Sequence, residues 1–127
     1  MQISFIIPHK GRFEMLIQTI VSIAKQNVDL SQVEVIVVSQ TPDVLNQTLS
    51  GSAKLLIKPH LRPENETISA LRNFGVTQSS GQYLAFLDAD IYLSENWGEQ
   101  MQRILTQNPK RIIASAMQIC TSDAPPL

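Results

Sequence analysis

The chain has little that would tie it together, or attach it elsewhere, by special chemistry. It carries one cysteine, Cys120, so no internal disulfide can form, and no second Cys or His stands at metal-ligand spacing from it. Cys120 therefore reads as a small apolar residue. No basic run or stripe accompanies the net charge of −1, which excludes the electrostatic footprint of a nucleic-acid binder. No apolar stretch approaches the ~20 residues of a membrane span. The apolar run 3–7 is broken by Pro8 and is too short for the core of a signal peptide. The chain reads as cytoplasmic, with peripheral association at the inner face of a membrane left open. Glycine is sparse, and the segment after the first apolar run holds only Gly11.

What is present is ordinary globular material: 127 residues, 43% apolar and 17% charged. That length fits one domain with one real core. It is set here at residues 1–119, followed by a loose tail over 120–127 that holds Pro125 and Pro126. There is no internal repeat. Residues 2–7 form a β-rich run that stops at Pro8. Over residues 12–26, Met15, Leu16, Thr19, Ile20 and Ile23 mark a helical stripe. Residues 33–38 are β-branched and nearly continuous, the pattern of a strand buried on both faces. A weak helical segment is placed over 42–49, and a third strand over 53–58, closed by Pro59. Residues 59–66 read as a polar loop. Residues 66–79 are a helix with Ile68, Leu71 and Val76 on one side, and 82–87 a fourth strand. Ser94 is a suitable N-cap for a helix over 95–107, with Trp97, Met101, Ile104 and Leu105 as its apolar face. Residues 111–117 make a fifth strand.

Alternating strands and helices predict an α/β domain: a mostly parallel sheet with helices on both faces. Such a sheet binds ligands beyond the carboxyl ends of its strands. Residues 8–12, 39–43 and 88–92 fall at those ends. Asp88 and Asp90 stand one residue apart, just after an apolar strand, and extended backbone would turn both carboxylates the same way. Two carboxylates so placed repel unless a cation is near. Mg²⁺ or Mn²⁺ takes one or two carboxylates, waters and phosphate oxygens. A solvated pair at a strand-end turn is the plainer alternative.

The order of motifs is more specific than the Asp-x-Asp alone. I-I-P at residues 6–8 leads to Arg12. V-E-V-I-V-V follows, then L-R-N-F-G-V at 71–76 and S-G-Q-Y-L-A-F-L-D-A-D at 80–90. Over residues 2–117 this resembles the GT-A (Rossmann-like) fold glycosyltransferases, family 2 above all. The resemblance implies a donor-binding half that holds a nucleotide-diphosphate sugar, a UDP-sugar for preference, through Mn²⁺ or Mg²⁺. Asp90 would be the direct metal ligand, and Asp88 would contact the ribose or a metal-bound water. Pro8 and His9 would line the base end of the pocket, with His9 either stacking on or hydrogen-bonding to the base, or standing as a partly exposed loop histidine. Arg12 would contact phosphate or simply open the first helix. Arg72 and Asn73 match the segment that touches base and ribose. Gly75 would permit close helix–sheet packing.

The family's Asp-Asp-Gly-Ser after the second strand is replaced here by Ser39-Gln40-Thr41-Pro42. That ending is similar to the galactosyltransferase and chondroitin-synthase branch of the fold. A Gln40 amide offers both a donor and an acceptor to a uracil edge, with Ser39 beside it. The acceptor, saccharide or lipid-linked, is not identifiable. No carboxylate after residue 117 except Asp123 is available as a general base, and Glu95 and Glu99 read as solvated. The acceptor-binding half and the base are therefore expected outside these residues, and turnover by this segment alone is not expected. Two alternatives remain. One is a non-catalytic or partner-dependent subunit, which would associate through an exposed apolar patch. The other is a sugar nucleotidyltransferase, which would need a glycine-rich basic loop where only His9-Lys10-Gly11-Arg12 stands.

Overall fold

The computed structural model describes residues 2–11, 13–42 and 55–110. The fifth strand, the 42–49 helix beyond Pro42, the tail and Arg12 lie outside those residues. Among the described residues there are four parallel strands: β1 (Ile3–His9), β2 (Val33–Ser39), β3 (Leu56–Leu61) and β4 (Tyr83–Phe86). Their order is β3-β2-β1-β4. The helices are α1 (Phe13–Ala24), α2 (Ile68–Gln78) and α3 (Trp97–Gln107).

Both faces of the sheet are covered, as expected. β1 and β2 pair in register, Ile3 with Val33 through His9 with Ser39, so odd-numbered residues of both strands share one face. There Phe5, Ile7, Val35 and Val37 pack with Leu16, Ile20 and Ile23 of α1, and Trp97 of α3 closes against them. The even-numbered face is smaller: Ile36 and Val38 meet Leu71, with Phe74 alongside. The approach of α2 depends on Gly75. A Cβ there would lie 2.5 Å from Ile6 Cγ2 and 3.2 Å from Val38 Cγ2.

Two prolines lie inside strands, where the sequence suggested they would end them. Gln2 and Ile6 carbonyls accept from Tyr83 and Leu87, whereas the His9 carbonyl accepts from Gln40. Backbone groups alternate sides, so the missing N–H of Pro8 falls on the β4 side, beyond the end of that strand. Pro59 follows the same logic. Arg62 N–H reaches back to Ser39, so Pro59 turns its nitrogen away from β2, toward the sheet edge. A proline is tolerated where no ladder bond is lost. The polar loop thus begins at Arg62, not at residue 59.

The helical stripes also shift. On α1 the buried set is Leu16, Thr19, Ile20 and Ile23, while Met15 is 42% exposed. On α2 only Leu71 and Gly75 are buried; Ile68 and Val76 stand outward. On α3, Gly98 and Leu105 are buried. Its N-cap is Asn96 instead of Ser94, and Asn96 makes no side-chain cap bond. The capping is done from a distance: Gln26 Oε1 accepts from Gly98 N–H at 2.7 Å, and its Nε2 donates to the Ser94 carbonyl at 2.8 Å.

Candidate nucleotide site at the carboxyl edge of the sheet

The ends of β1, β2 and β3, and the loop after β4, meet at one edge of the sheet. Strand order reverses between β1 and β4, where an open α/β sheet leaves its ligand crevice. Pro8, His9, Ser39, Gln40, Asp88 and Asp90 all arrive at this edge, and Arg72 reaches it from α2.

His9 is not a loop residue. It is the last residue of β1, on the odd face, and only 2% exposed. Its Nδ1 shares a 2.8 Å hydrogen bond with Ser39 Oγ, and its ring lies 5.5 Å from that of Phe13. A ring so enclosed offers no free face for stacking, and His9 is not a partly exposed loop residue. Ser39 Oγ also accepts from Thr41 N–H, and Thr41 Oγ1 accepts from Gly11 N–H at 3.1 Å. Gly11 sits at φ +110, a conformation side-chain-bearing residues rarely adopt. Pro8 and Ser39 are buried beside this lattice.

Gln40 is 7% exposed, and its amide nitrogen is committed inside the protein. Nε2 lies 3.0, 3.1 and 2.7 Å from the carbonyls of Pro63, Glu64 and Glu66. The expectation that this amide presents its donor to a base is corrected: position 40 on the even face points it at the 62–66 loop. That loop is pinned further by Arg62, which donates to Glu66 and lies 4.4 Å above the Phe74 ring. The wall it forms was not foreseen from sequence.

Asp88 and Asp90 do not continue the strand alternation. Ile91 N–H bonds to the Asp88 carbonyl, closing a turn over 88–91, so the two carboxylates are related by the turn. Both are exposed. Arg72 Nη2 donates to Asp88 Oδ1 at 3.0 Å, while Asp90 has no side-chain partner among the described residues. Asn73 is exposed on α2 next to Arg72. The turn is held from beneath by α1. Thr19 Oγ1 donates toward the Ala89 carbonyl at 2.9 Å, sharing its proton with the Met15 carbonyl at 3.0 Å. Ser22 Oγ accepts from Leu93 N–H at 3.0 Å. Thr19 and Ser22 of α1, and Gln26 just past its end, thus fasten this segment to residues 89–98. The signal in sequence was a polar residue, Thr19, inside an apolar stripe.

No group of three or more His, Cys, Asp or Glu gathers among the described residues. The donor set at the turn is two accessible carboxylates. That chemistry suits a hard divalent cation whose remaining ligands are water and substrate oxygens, and does not suit a closed protein cage.

Residues 4–125 match the Glycosyl transferase family 2 profile. The chain belongs to this family. An uncharacterized glycosyltransferase from Rickettsia bellii (strain RML369-C) is 31% identical over 84% of the chain and 15% of its own length. The putative glycosyltransferase EpsH of Bacillus subtilis (strain 168) is 25% identical over 61% of the chain and 23% of its own length. The chain therefore spans under a quarter of these curated relatives. Among solved structures, S. aureus TarS 1-349 in complex with UDP-GlcNAc superposes with a TM-score of 0.76 at 23% identity, over 86% of this chain and 32% of that one. The Pyrobaculum calidifontis mannosyltransferase PcManGT, in complex with GDP-Man and Mn²⁺, superposes at 0.61 with 18% identity, over 72% of this chain and 28% of its own. The shared fold is that of GT-A glycosyltransferases. No helix among the described residues is long and apolar enough to cross a membrane.

Proposed function

We propose that this segment is the donor-binding half of a family 2 glycosyltransferase, taking a nucleoside-diphosphate sugar, with uridine as the base. The observation that carries the reading is the Asp88–Asp90 turn. It stands at the carboxyl end of β4, at the reversal of strand order, with Arg72 against it. The nucleotides bound to TarS and to the mannosyltransferase support a donor of this class.

In this reading Asp90 holds Mn²⁺ or Mg²⁺, and Asp88 faces the ribose or a metal-bound water. The cation supplies Lewis acidity to the departing diphosphate. The chain's own residues orient the donor. Backbone at Pro8 and the Ser39 region border the base, and Arg72 and Asn73 approach base and ribose. Arg12 is assigned to phosphate. His9 and Gln40 act by building the walls, His9 through Ser39 and Gln40 through the 62–66 loop. Acceptor binding, to a saccharide or lipid-linked acceptor, and the general base are assigned to sequence beyond this segment, as is any peripheral contact with a membrane.

Calorimetric titration of uridine diphosphate, with and without Mn²⁺, tests the reading on this chain and on Asp90→Ala. Metal-dependent binding lost in the variant supports it; binding that ignores both metal and Asp90 refutes the metal assignment.

A second reading, a partner-dependent subunit, is favoured by Leu84 and Phe86, which are 40% and 53% exposed on β4. Concentration-dependent association in sedimentation velocity would support it.

A further inference from the structure

We propose that Arg72 is a built-in counter-ion that makes cation binding at the Asp88–Asp90 turn conditional on the diphosphate. This rests on the donor-site reading. Two carboxylates within one three-residue turn would ordinarily attract a divalent cation on their own. Here one of them is already matched: Arg72 Nη2 donates to Asp88 Oδ1 at 3.0 Å. The guanidinium is always charged, and it rises from a rigid position on α2, next to the buried Leu71. Its Nε is buried and has no partner among the described residues. The fork therefore holds Asp88 through Nη2, while its Nε stays enclosed.

Two consequences follow from Coulomb's law. A divalent ion at Asp90 feels a fixed positive charge close by, and Asp88 is a weaker ligand while it is paired. With water-like screening, one such charge about 6 Å away lowers cation affinity on the order of tenfold. A diphosphate reverses the balance. Its negative charges outweigh Arg72 and draw the cation to the turn. Cation and nucleotide are then coupled, and the coupling is reciprocal: each tightens the other by the same factor. Arg72 is in this sense a positioning residue that acts on the cation through Asp88.

The test is Mn²⁺ titration followed by electron paramagnetic resonance, which counts free Mn²⁺ without requiring turnover. Wild type, Arg72→Gln and Arg72→Lys are each titrated with Mn²⁺ alone and with Mn²⁺ plus uridine diphosphate. Circular dichroism confirms the fold of each. The expected result is that Arg72→Gln binds Mn²⁺ alone about tenfold more tightly than wild type, and that its nucleotide-induced gain shrinks. Arg72→Lys keeps the charge and should stay near wild type with Mn²⁺ alone. Unchanged or weaker Mn²⁺ binding in Arg72→Gln, or no binding in any of the three, overturns the inference. The metal-alone arm decides this point; absence of metal-dependent nucleotide binding in wild type counts instead against the donor-site reading.

Discussion

The Thr19 hydroxyl donates from the middle of α1 to the carbonyl of Ala89, 2.9 Å away, and so fixes the residue between Asp88 and Asp90. Thr19 is fully buried. Thr19→Val keeps its shape and removes the donor, leaving the Ala89 carbonyl short of a partner. Loss of such a bond costs about 1–3 kcal/mol. The greater effect should fall on the turn: metal-dependent uridine diphosphate affinity is expected to drop several-fold more than that of Ser22→Ala, read by calorimetry. Equal affinity in Thr19→Val and wild type would show that α1 does not set the turn.

Gln40 makes a related prediction for the opposite wall. Its amide nitrogen serves three carbonyls of the 62–66 segment. Gln40→Met preserves volume and removes that donor. Amide hydrogen exchange should speed up over residues 62–66 while the protection of β1 and β2 stays intact, and nucleotide affinity should fall. Were Gln40 a direct base contact instead, affinity would fall with no change in exchange.

Glu34 governs acid stability. It sits 6% exposed on β2, where it accepts from Ser4 and from Lys58 at 2.8 Å, and from Ser80 N–H at 2.6 Å and Ser80 Oγ at 3.0 Å. Burial alone would raise its pKa, but the bonds from Lys58, Ser4 and Ser80 prevail and hold it at about 2, against an ordinary 4.5. A depressed carboxylate contributes stability that is complete above its unfolded value and is lost as pH falls through the folded one. Urea midpoints should therefore be flat from neutrality to about pH 5 and decline toward pH 2, with at most about 3 kcal/mol due to Glu34. In Glu34→Gln that portion of the decline should vanish from an already lower plateau. An unchanged slope in the variant would remove Glu34 from the account.

Much of this was legible in the chain itself. The β-branched run at 33–38 can be little else than a central strand, and Leu71 and Gly75 of α2 do face the sheet, whereas Ile68 and Val76, read onto the same side as Leu71, stand outward. Asp88 and Asp90 stand out in sequence because a charged pair ends an apolar run. The misreadings have physical causes. A proline breaks a strand only if its N–H would have met a neighbour, and pairing partners are invisible to a local pattern; hence Pro8 and Pro59. His9 reads as a loop residue for that reason, whereas two further strand residues, Pro8 and His9, carry it onto the buried odd face. Gln40 was given a chemical role because its side chain is chemically versatile, yet its direction is set by strand parity and by a loop more than twenty residues away. The cap of α3 comes from Gln26, and no local motif at Ser94 or Asn96 announces a remote cap.

The strand order carries a consequence for how the chain is made. β1 is synthesised first, yet one of its two neighbours is β4, with Ile3 beside Tyr83. As the polypeptide leaves the ribosome, β1 and β2 can pair early, while the other flank of β1 stays open until most of the described chain has emerged. Parallel pairings at such separation are slow to form, and exposed strand edges in half-made chains invite aggregation. Until then Phe5 and Ile7, later sealed under α1, and Ile6, later sealed under Gly75, lack their covering partners.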